Sequence, residues 1–270
     1  MSLISFAQNR EDIVLWRALS HVQRGFYIDV GAHEPVADSC TKLFYDRGWS
    51  GINIEPADDL LAGLRRERPR DVNLGVAVSN QPDFVTFYAD RKVTGFSTVD
   101  TTFINQLRDM GHQFDEHRVP SRSLKSIVQE HAAGRDVHFL KIDVEGHERS
   151  VLESADFASF RPWIIVLEAI APTDWKPTHG DWEGLLLAGG YEFTLFDGLN
   201  RFYVAREHEE LRARASYSAC VLDQFSAYEV ERAMEAKNRE IRRLRYTHPI
   251  ELARAARRRL RSWIGGSANG

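Results

Sequence analysis

Gly25-Phe26-Tyr27-Ile28-Asp29-Val30-Gly31-Ala32-His33-Glu34-Pro35 is the stretch whose reading decides the fold. An aromatic and β-branched run ends in Asp-Val-Gly-Ala and turns at Pro35, the pattern of a buried strand feeding a tight loop. Gly31 removes a side chain where the backbone must turn sharply or let a ligand approach. Asp29 falls near the carboxyl end of the strand, the edge at which open α/β sheets bind ligands. A second short strand, Gly51-Ile52-Asn53-Ile54, ends in Glu55-Pro56. An acid at that offset, about twenty residues on, is placed to accept hydrogen bonds from two ribose hydroxyls. His33 and Glu34 stand where a dinucleotide-binding glycine loop needs small residues. The pair therefore indicates a nucleoside-type ligand without a pyrophosphate, and S-adenosylmethionine is such a ligand.

Outward from this pair the chain alternates. Residues 9–22 repeat Ile13, Trp16, Leu19 and Val22 at helical spacing. Ser39 is placed to cap a helix carrying Leu43, Phe44 and Tyr45, and a charged helix over 58–68 stops at Pro69. The pattern predicts strands over 72–78 and 84–88, then an irregular region over 90–120 with a helical piece at 102–109. A helix over 123–131 leads to a strand over 137–143, a helix over 146–152 and the almost wholly apolar strand 163–168. A helix over 181–187 precedes strands at 191–196 and 201–205, joined through Asp197-Gly198, a hairpin signal. Strands alternating with helices predict an α/β, doubly wound sheet whose last strand runs antiparallel. Beyond Glu207 the pattern turns helical and charged, with one long helix predicted over 225–244, a basic amphipathic segment over 250–264 and a disordered end over 265–270. Two domains are expected, 1–207 and a C-terminal helical extension, 208–270.

The composition, 43% hydrophobic and 27% charged, is that of an ordinary globular chain. The net charge of -4 argues against nucleic acid as a partner. Cys40 and Cys220 lie far apart and outside any metal-type spacing, which speaks against a disulfide framework or zinc site. A reducing cytoplasm is the default expectation, since the start has no signal-peptide pattern and no run reaches the roughly 18 apolar residues of a membrane span. Between Arg239 and Arg261 nine arginines face two glutamates, a net +7 that leaves -11 for the rest. Such a tail suits peripheral contact with an anionic membrane at its inner face, or a partner. A homodimer through the C-terminal helices is a further expectation.

Four segments together resemble the FkbM-type S-adenosylmethionine-dependent methyltransferases: 25–32, then Gly48-Trp49-Ser50-Gly51-Ile52-Asn53-Ile54-Glu55-Pro56, then Phe139-Leu140-Lys141-Ile142-Asp143-Val144-Glu145-Gly146-His147-Glu148, then Arg161-Pro162-Trp163. They occur in the family's order and span roughly residues 5 to 205. The resemblance implies a class I methyltransferase, Rossmann-like sheet and methyl transfer to a hydroxyl of a sugar, glycan or polyketide acceptor. Asp38-Ser39-Cys40-Thr41 departs from the Ser-Asn-Thr of the family pattern. Ser97 and Thr98 resemble its Ser-Thr and are candidates for substrate contact.

The residues divide into two expected groups. For the cofactor, Glu55 with Pro56 is the ribose clamp, Gly31 and Ala32 form the turn, and Asp29 faces the methionine amino group or orients the loop. Ala77 and Val78 lie where adenine belongs. Asp143 belongs to both groups. On the acceptor side, Asp143 ends a strand, Glu145 and His147 follow it, and parallel pairing brings Glu168 to the same edge. Two acids and a histidine there can hold a divalent ion such as Mg²⁺, through Asp143 and Glu168, or work without metal with His147 or Glu145 as base. His33 is a second base candidate, and Gln8, Glu11 and Asp12 are placed to close over the cofactor. The blander alternatives are helix capping by Glu145 and Glu148, and surface roles for His33 and the first helix. An amino-methylating enzyme and a non-catalytic cofactor-binding subunit are the alternative functions.

Overall fold

The computed structural model describes residues 3–265 apart from Pro82 and Pro172. The chain divides into two compact units, Met1–Phe225 and Ser226–Gly270. The first unit opens with β1 (Leu3–Ser5), α1 (Glu11–Leu19), β2 (Phe26–Val30), α2 (Lys42–Asp46), β3 (Ser50–Ile54), α3 (Asp58–Glu67), β4 (Val72–Leu74) and β5 (Ala77–Val78). It continues with β6 (Phe84–Asp90), α4 (Thr101–Asp109), β7 (Phe114–Arg122), α5 (Leu124–His131), β8 (Phe139–Ile142), α6 (Glu148–Glu153), β9 (Ile164–Glu168), α7 (Glu183–Ala188), β10 (Tyr191–Phe196), β11 (Asn200–Ala205) and α8 (Arg212–Ala215).

The central sheet has seven strands in the spatial order β10-β11-β9-β8-β2-β3-β4. β2 pairs in parallel with β3 on one side and β8 on the other, and β9 continues in parallel beyond β8. β11 runs antiparallel to both β9 and β10. The predicted doubly wound sheet with an antiparallel last strand is what forms. Every residue of β2 is buried, as in a parallel sheet covered on both faces. Ile28, Leu140 and Ile165 join Leu124 and Ile127 of α5 and Val151 of α6 in one core. The other face is aromatic: Tyr27, Phe139, Phe44 and Trp49 interlock, with centroid separations of 5.5 Å for Tyr27–Phe139 and 4.7 Å for Phe44–Phe139.

Three local expectations need correction. Ser39 does not cap α2; Thr41 holds that position, and the Ser39 hydroxyl instead accepts from Arg68 Nη2 at 2.8 Å. The strand expected over 72–78 breaks after Leu74, where a Cβ on Gly75 would lie 2.6 Å from Leu61 Cδ2. Ala77 and Val78 then leave the central sheet and pair with β7. The region 90–120 contains the helix but is otherwise far from irregular. β7 pairs antiparallel with β6 over Phe114–Pro120 and in parallel with β5 at Ser121 and Arg122, forming a small three-stranded sheet. The alternation in Phe114-Asp115-Glu116-His117-Arg118-Val119-Pro120 was hidden because the strand is amphipathic only at its end, where Val119 and Ser121 are buried.

The first unit runs past 207, the boundary expected from sequence. Arg161 forms a paired ion bridge with Glu207. Arg17 donates to Asp223 at 2.9–3.0 Å and to the Arg214 carbonyl at 2.6 Å, and packs over the Tyr217 ring. Leu211 and Ala215 are buried. In the second unit a helix spans Tyr228–Gly265 without interruption, so 225–244 and 250–264 are parts of one element rather than two. Of the disordered end expected over 265–270, Gly265 is instead the last residue of that helix, and 266–270 lie outside the described residues, as do many side chains of the basic stretch. Cys40 and Cys220 are both free thiols. Among the described residues no helix is long and apolar enough to cross a membrane.

Candidate active site

The chain builds outward from β2 to β3 and β4, then returns to the other side of β2 at β8. That reversal opens a crevice at the carboxyl ends of β2 and β8, the place where such sheets bind ligands. A cavity of about 920 Å³ fills it. That is near the upper end for a single small-molecule site, room for two ligands rather than one.

One wall is the nucleoside side. Gly31 turns with φ +81°, and a Cβ there would lie 1.8 Å from the Asp143 carbonyl oxygen, so only glycine lets the β2 and β8 ends close together. Its N–H donates to Ile54 O at 3.0 Å, tying the turn to β3. Glu55 follows Ile54, buried, with one carboxyl oxygen accepting from His33 N at 3.0 Å and the other from Ala57 N at 2.9 Å. Burial pushes its carboxyl up to about 7, against those two amides. Val76, Ala77, Val78 and Leu60 provide an apolar wall beside it. A fixed carboxyl that can accept from ribose hydroxyls, next to an apolar shelf for a purine, means that the residues present fit a nucleoside cofactor.

The opposite wall is acidic. Ile142 and Leu167 are register partners, so Asp143 and Glu168, the next residue on each strand, meet at the sheet edge. Glu145 reaches the same point from a left-handed backbone, φ 52°. Thr98 Oγ1 fixes that loop, donating at 2.8 Å to the Glu145 carbonyl and within 3.2 Å of the Val144 carbonyl. One carboxylate oxygen from each of Asp143, Glu145 and Glu168 lies within 4.8 Å of the others. Buried Lys141 donates to Asp143 at 2.8 Å, and its ammonium holds that carboxyl below the usual range even though burial works the other way. Glu168 is pushed up to about 11 by burial and then by the charge of Asp143. Burial also raises Glu145 well above the ordinary carboxylate value.

A third wall comes from the β6–β7 insertion. Residues 92–99 line the cavity, and Thr94 Oγ1 lies 2.9 Å from His33 Nε2. Sequence reasoning placed Ser97 and Thr98 here but gave no sign of Lys92, Val93 or Phe96, which reach the cavity only through the unforeseen hairpin. Trp175, 78% exposed, and Leu199 of the β10–β11 hairpin were also missed. An isolated aromatic in a polar loop is the only signal Trp175 leaves in sequence.

Of the expected residues, Gly31, His33, Glu55, Pro56, Ala77, Val78, Ser97, Thr98, Asp143, Glu145, His147 and Glu168 line this cavity together, with Gln8. Asp29 and Ala32 do not. Asp29 is buried beneath the turn, accepting from Thr41 Oγ1 at 3.3 Å and feeling the charge of Lys141; burial raises it to about 7. A strand's side chains alternate, so Asp29 lies on the opposite face of β2 from Val30, which lines the cavity. Glu11 and Asp12 are likewise buried. Asp12 caps the N-terminal turn by accepting from Ser5 Oγ and Phe6 N, each at 2.7 Å. His147 is a lining residue whose Nε2 is taken up by Ser79 Oγ at 3.1 Å, and burial lowers its affinity for a proton.

A doubly wound sheet with a buried carboxyl after β3 and an acidic edge at the ends of β8 and β9 fits a nucleoside-cofactor-dependent α/β enzyme. The methyltransferase FkbM domain model matches residues 29–193, and the chain belongs to that family, an S-adenosylmethionine-dependent methyltransferase. No curated protein matches the chain. Among solved structures it is similar to a TehB-like SAM-dependent methyltransferase from Corynebacterium glutamicum, at 9% identity and a TM-score of 0.40 over 72% of this chain and 88% of that one. It is also similar to the O-methyltransferase from Bacillus cereus in complex with SAH, at 10% identity and a TM-score of 0.35 over 73% and 81%. Likeness at that level carries no substrate across.

Proposed function

We propose that this enzyme methylates a hydroxyl oxygen of a sugar or glycan precursor. The observation that carries the reading is one cavity with two unlike walls: Glu55 and its apolar shelf on one side, and three carboxyls on the other. S-adenosylmethionine supplies a methyl group on a sulfonium, which leaves as a neutral thioether when the acceptor oxygen takes the methyl. Glu55 accepts from the ribose hydroxyls, and the Val76–Val78 segment covers the purine. The acidic wall accepts hydrogen bonds from several acceptor hydroxyls at once, which suits a polyol better than an apolar polyketide. Positioning supplies most of the acceleration in an in-line transfer. The hydroxyl proton must also leave, and His33, bonded to the third wall at Thr94 and within electrostatic reach of Asp143, is placed to take it. An amine acceptor is the less favoured reading, because Val144-Glu145-Gly146 follows Asp143 where many amino-methylating enzymes carry a Pro-Pro-aromatic motif.

The reading is tested with methyl-labelled cofactor against nucleotide sugars, glycolipid precursors, polyketide alcohols and amines. Label on a sugar oxygen supports it, and label confined to nitrogen refutes it. The exposed arginines of the C-terminal helix, Arg242 and Arg257 among them, suit an anionic lipid surface carrying such precursors. Flotation with anionic liposomes that is unchanged after deleting 249–270 would exclude that surface as the partner.

A further inference from the structure

The acidic wall is out of balance as a set of hydrogen bonds. Among the described residues Glu145 Oε2 is buried with no hydrogen-bond partner. Glu168 meets another carboxyl, that of Asp143. Lys141 is the ammonium that touches the group, and it serves Asp143. A buried carboxyl oxygen without a donor costs free energy unless something cationic or a proton fills its place. The loop is built to keep it there: Gly146, φ 96°, follows left-handed Glu145, and Thr98 holds the Glu145 carbonyl.

We propose that Asp143, Glu145 and Glu168 hold one hard divalent cation of the Mg²⁺ or Mn²⁺ kind, with acceptor hydroxyls as its remaining ligands. The donors are all carboxylate oxygens, with no thiolate or imidazole in the set, which selects Mg²⁺, Mn²⁺ or Ca²⁺ over Zn²⁺. Cation–oxygen distances of about 2.1–2.5 Å place ligand oxygens roughly 3–5 Å apart, and the spacing within 4.8 Å falls inside that span. Three carboxylates leave coordination positions open toward the cavity, so neighbouring hydroxyls of one acceptor can bind side by side. The proposal deepens the sugar-hydroxyl reading and rests on it for the identity of the remaining ligands, but the cation site itself can be tested without any acceptor.

The experiment is a Mn²⁺ titration followed by electron paramagnetic resonance on the full chain, using wild type, Glu145→Gln and Glu168→Gln. Circular dichroism melts confirm that each variant is folded; glutamine keeps the shape and removes charge from a crowded group. S-adenosylhomocysteine is titrated calorimetrically into the same samples with EDTA present. One Mn²⁺ per chain in wild type is expected, weakened in each variant by more than the roughly 10–100-fold that losing an outer-shell partner costs. No Mn²⁺ binding to wild type, or binding that both variants retain, overturns the cation site. S-adenosylhomocysteine binding in EDTA then separates the cases: if it persists, only the cation proposal has failed, and if it is lost too, the methyltransferase reading of the cavity is in question.

Discussion

Gly31 and Glu55 hold the nucleoside wall, and each fails in its own way. At Gly31→Ala the new Cβ meets the Asp143 carbonyl at 1.8 Å on a backbone with φ +81°. Left-handed strain alone costs about 1–3 kcal/mol, and the β8 end must also move. We expect S-adenosylhomocysteine affinity to drop by at least tenfold, about 1.4 kcal/mol, with a lowered melting temperature, both read from one preparation. Glu55 behaves as a titration. Its folded pKa is raised from 4.5 to about 7 by burial, so ionising it works against folded-state stability between those two values. Ribose hydroxyls bind the ionised form. Affinity for S-adenosylhomocysteine should therefore rise as pH goes from about 6 to 8 in wild type and stay flat in Glu55→Gln. Parallel curves for the two proteins would show that Glu55 is not the ribose clamp.

At the scale of elements, one buried arginine organises the nucleoside side. Arg68, just after α3, is fully buried. It donates through Nε to the Pro35 carbonyl and through Nη2 to Ser39, each at 2.8 Å, and stands 3.7 Å from Asp71. It thereby joins the loop after β2 to the end of α3. Asp71 in turn accepts from Tyr27 Oη at 2.7 Å, Gly51 N at 2.9 Å and Asn53 Nδ2 at 3.0 Å. Removing one partner of a buried pair costs about 3–5 kcal/mol, whereas removing both is far milder. Arg68→Met should destabilise the fold by that amount in urea, and Arg68→Met with Asp71→Asn should recover most of it. Equal losses in the single and double variants would mean that Arg68 acts through packing alone. The β6–β7 insertion is the second element that matters, because it carries the third wall. Its helix was legible from the spacing of Phe103, Ile104 and Leu107. Its second strand was not, since Phe114 to Arg118 alternates against solvent and only the pairing with β6 defines it.

Across the whole molecule the first compact unit extends to Phe225. Arg17, Arg161 and their partners fasten residues 206–223 to the first unit. A chain ending at Phe225 is expected to melt as a single cooperative unit and to bind S-adenosylhomocysteine like the full chain. A chain ending at 207 would expose buried Leu211 and Ala215 positions' packing surface and strip Arg17 of Asp223, and it should melt lower or aggregate. Equal melting of the two truncations would return the boundary to 207.

Local pattern determined much of this protein. The two parallel strands ending in Gly31 and Glu55, the alternation of strands with helices, the antiparallel hairpin through Asp197-Gly198 and the acids Asp143, Glu145 and Glu168 can all be read from residues that are neighbours in the chain, because periodicity and turn chemistry are local. Tertiary structure decided which of those residues face the ligand. Asp29 and Val30 are adjacent and alternate in face, yet which face of β2 meets the cavity is set by the elements packed around it, and only Val30 lines it. It also decided that Ala77 and Val78 leave the sheet at a glycine packed against Leu61, and that Trp175 and the 92–99 segment arrive from far along the chain. It left Glu145 Oε2 buried without a donor, which follows from what three separate strands and loops bring to one point and is written in no single stretch of sequence.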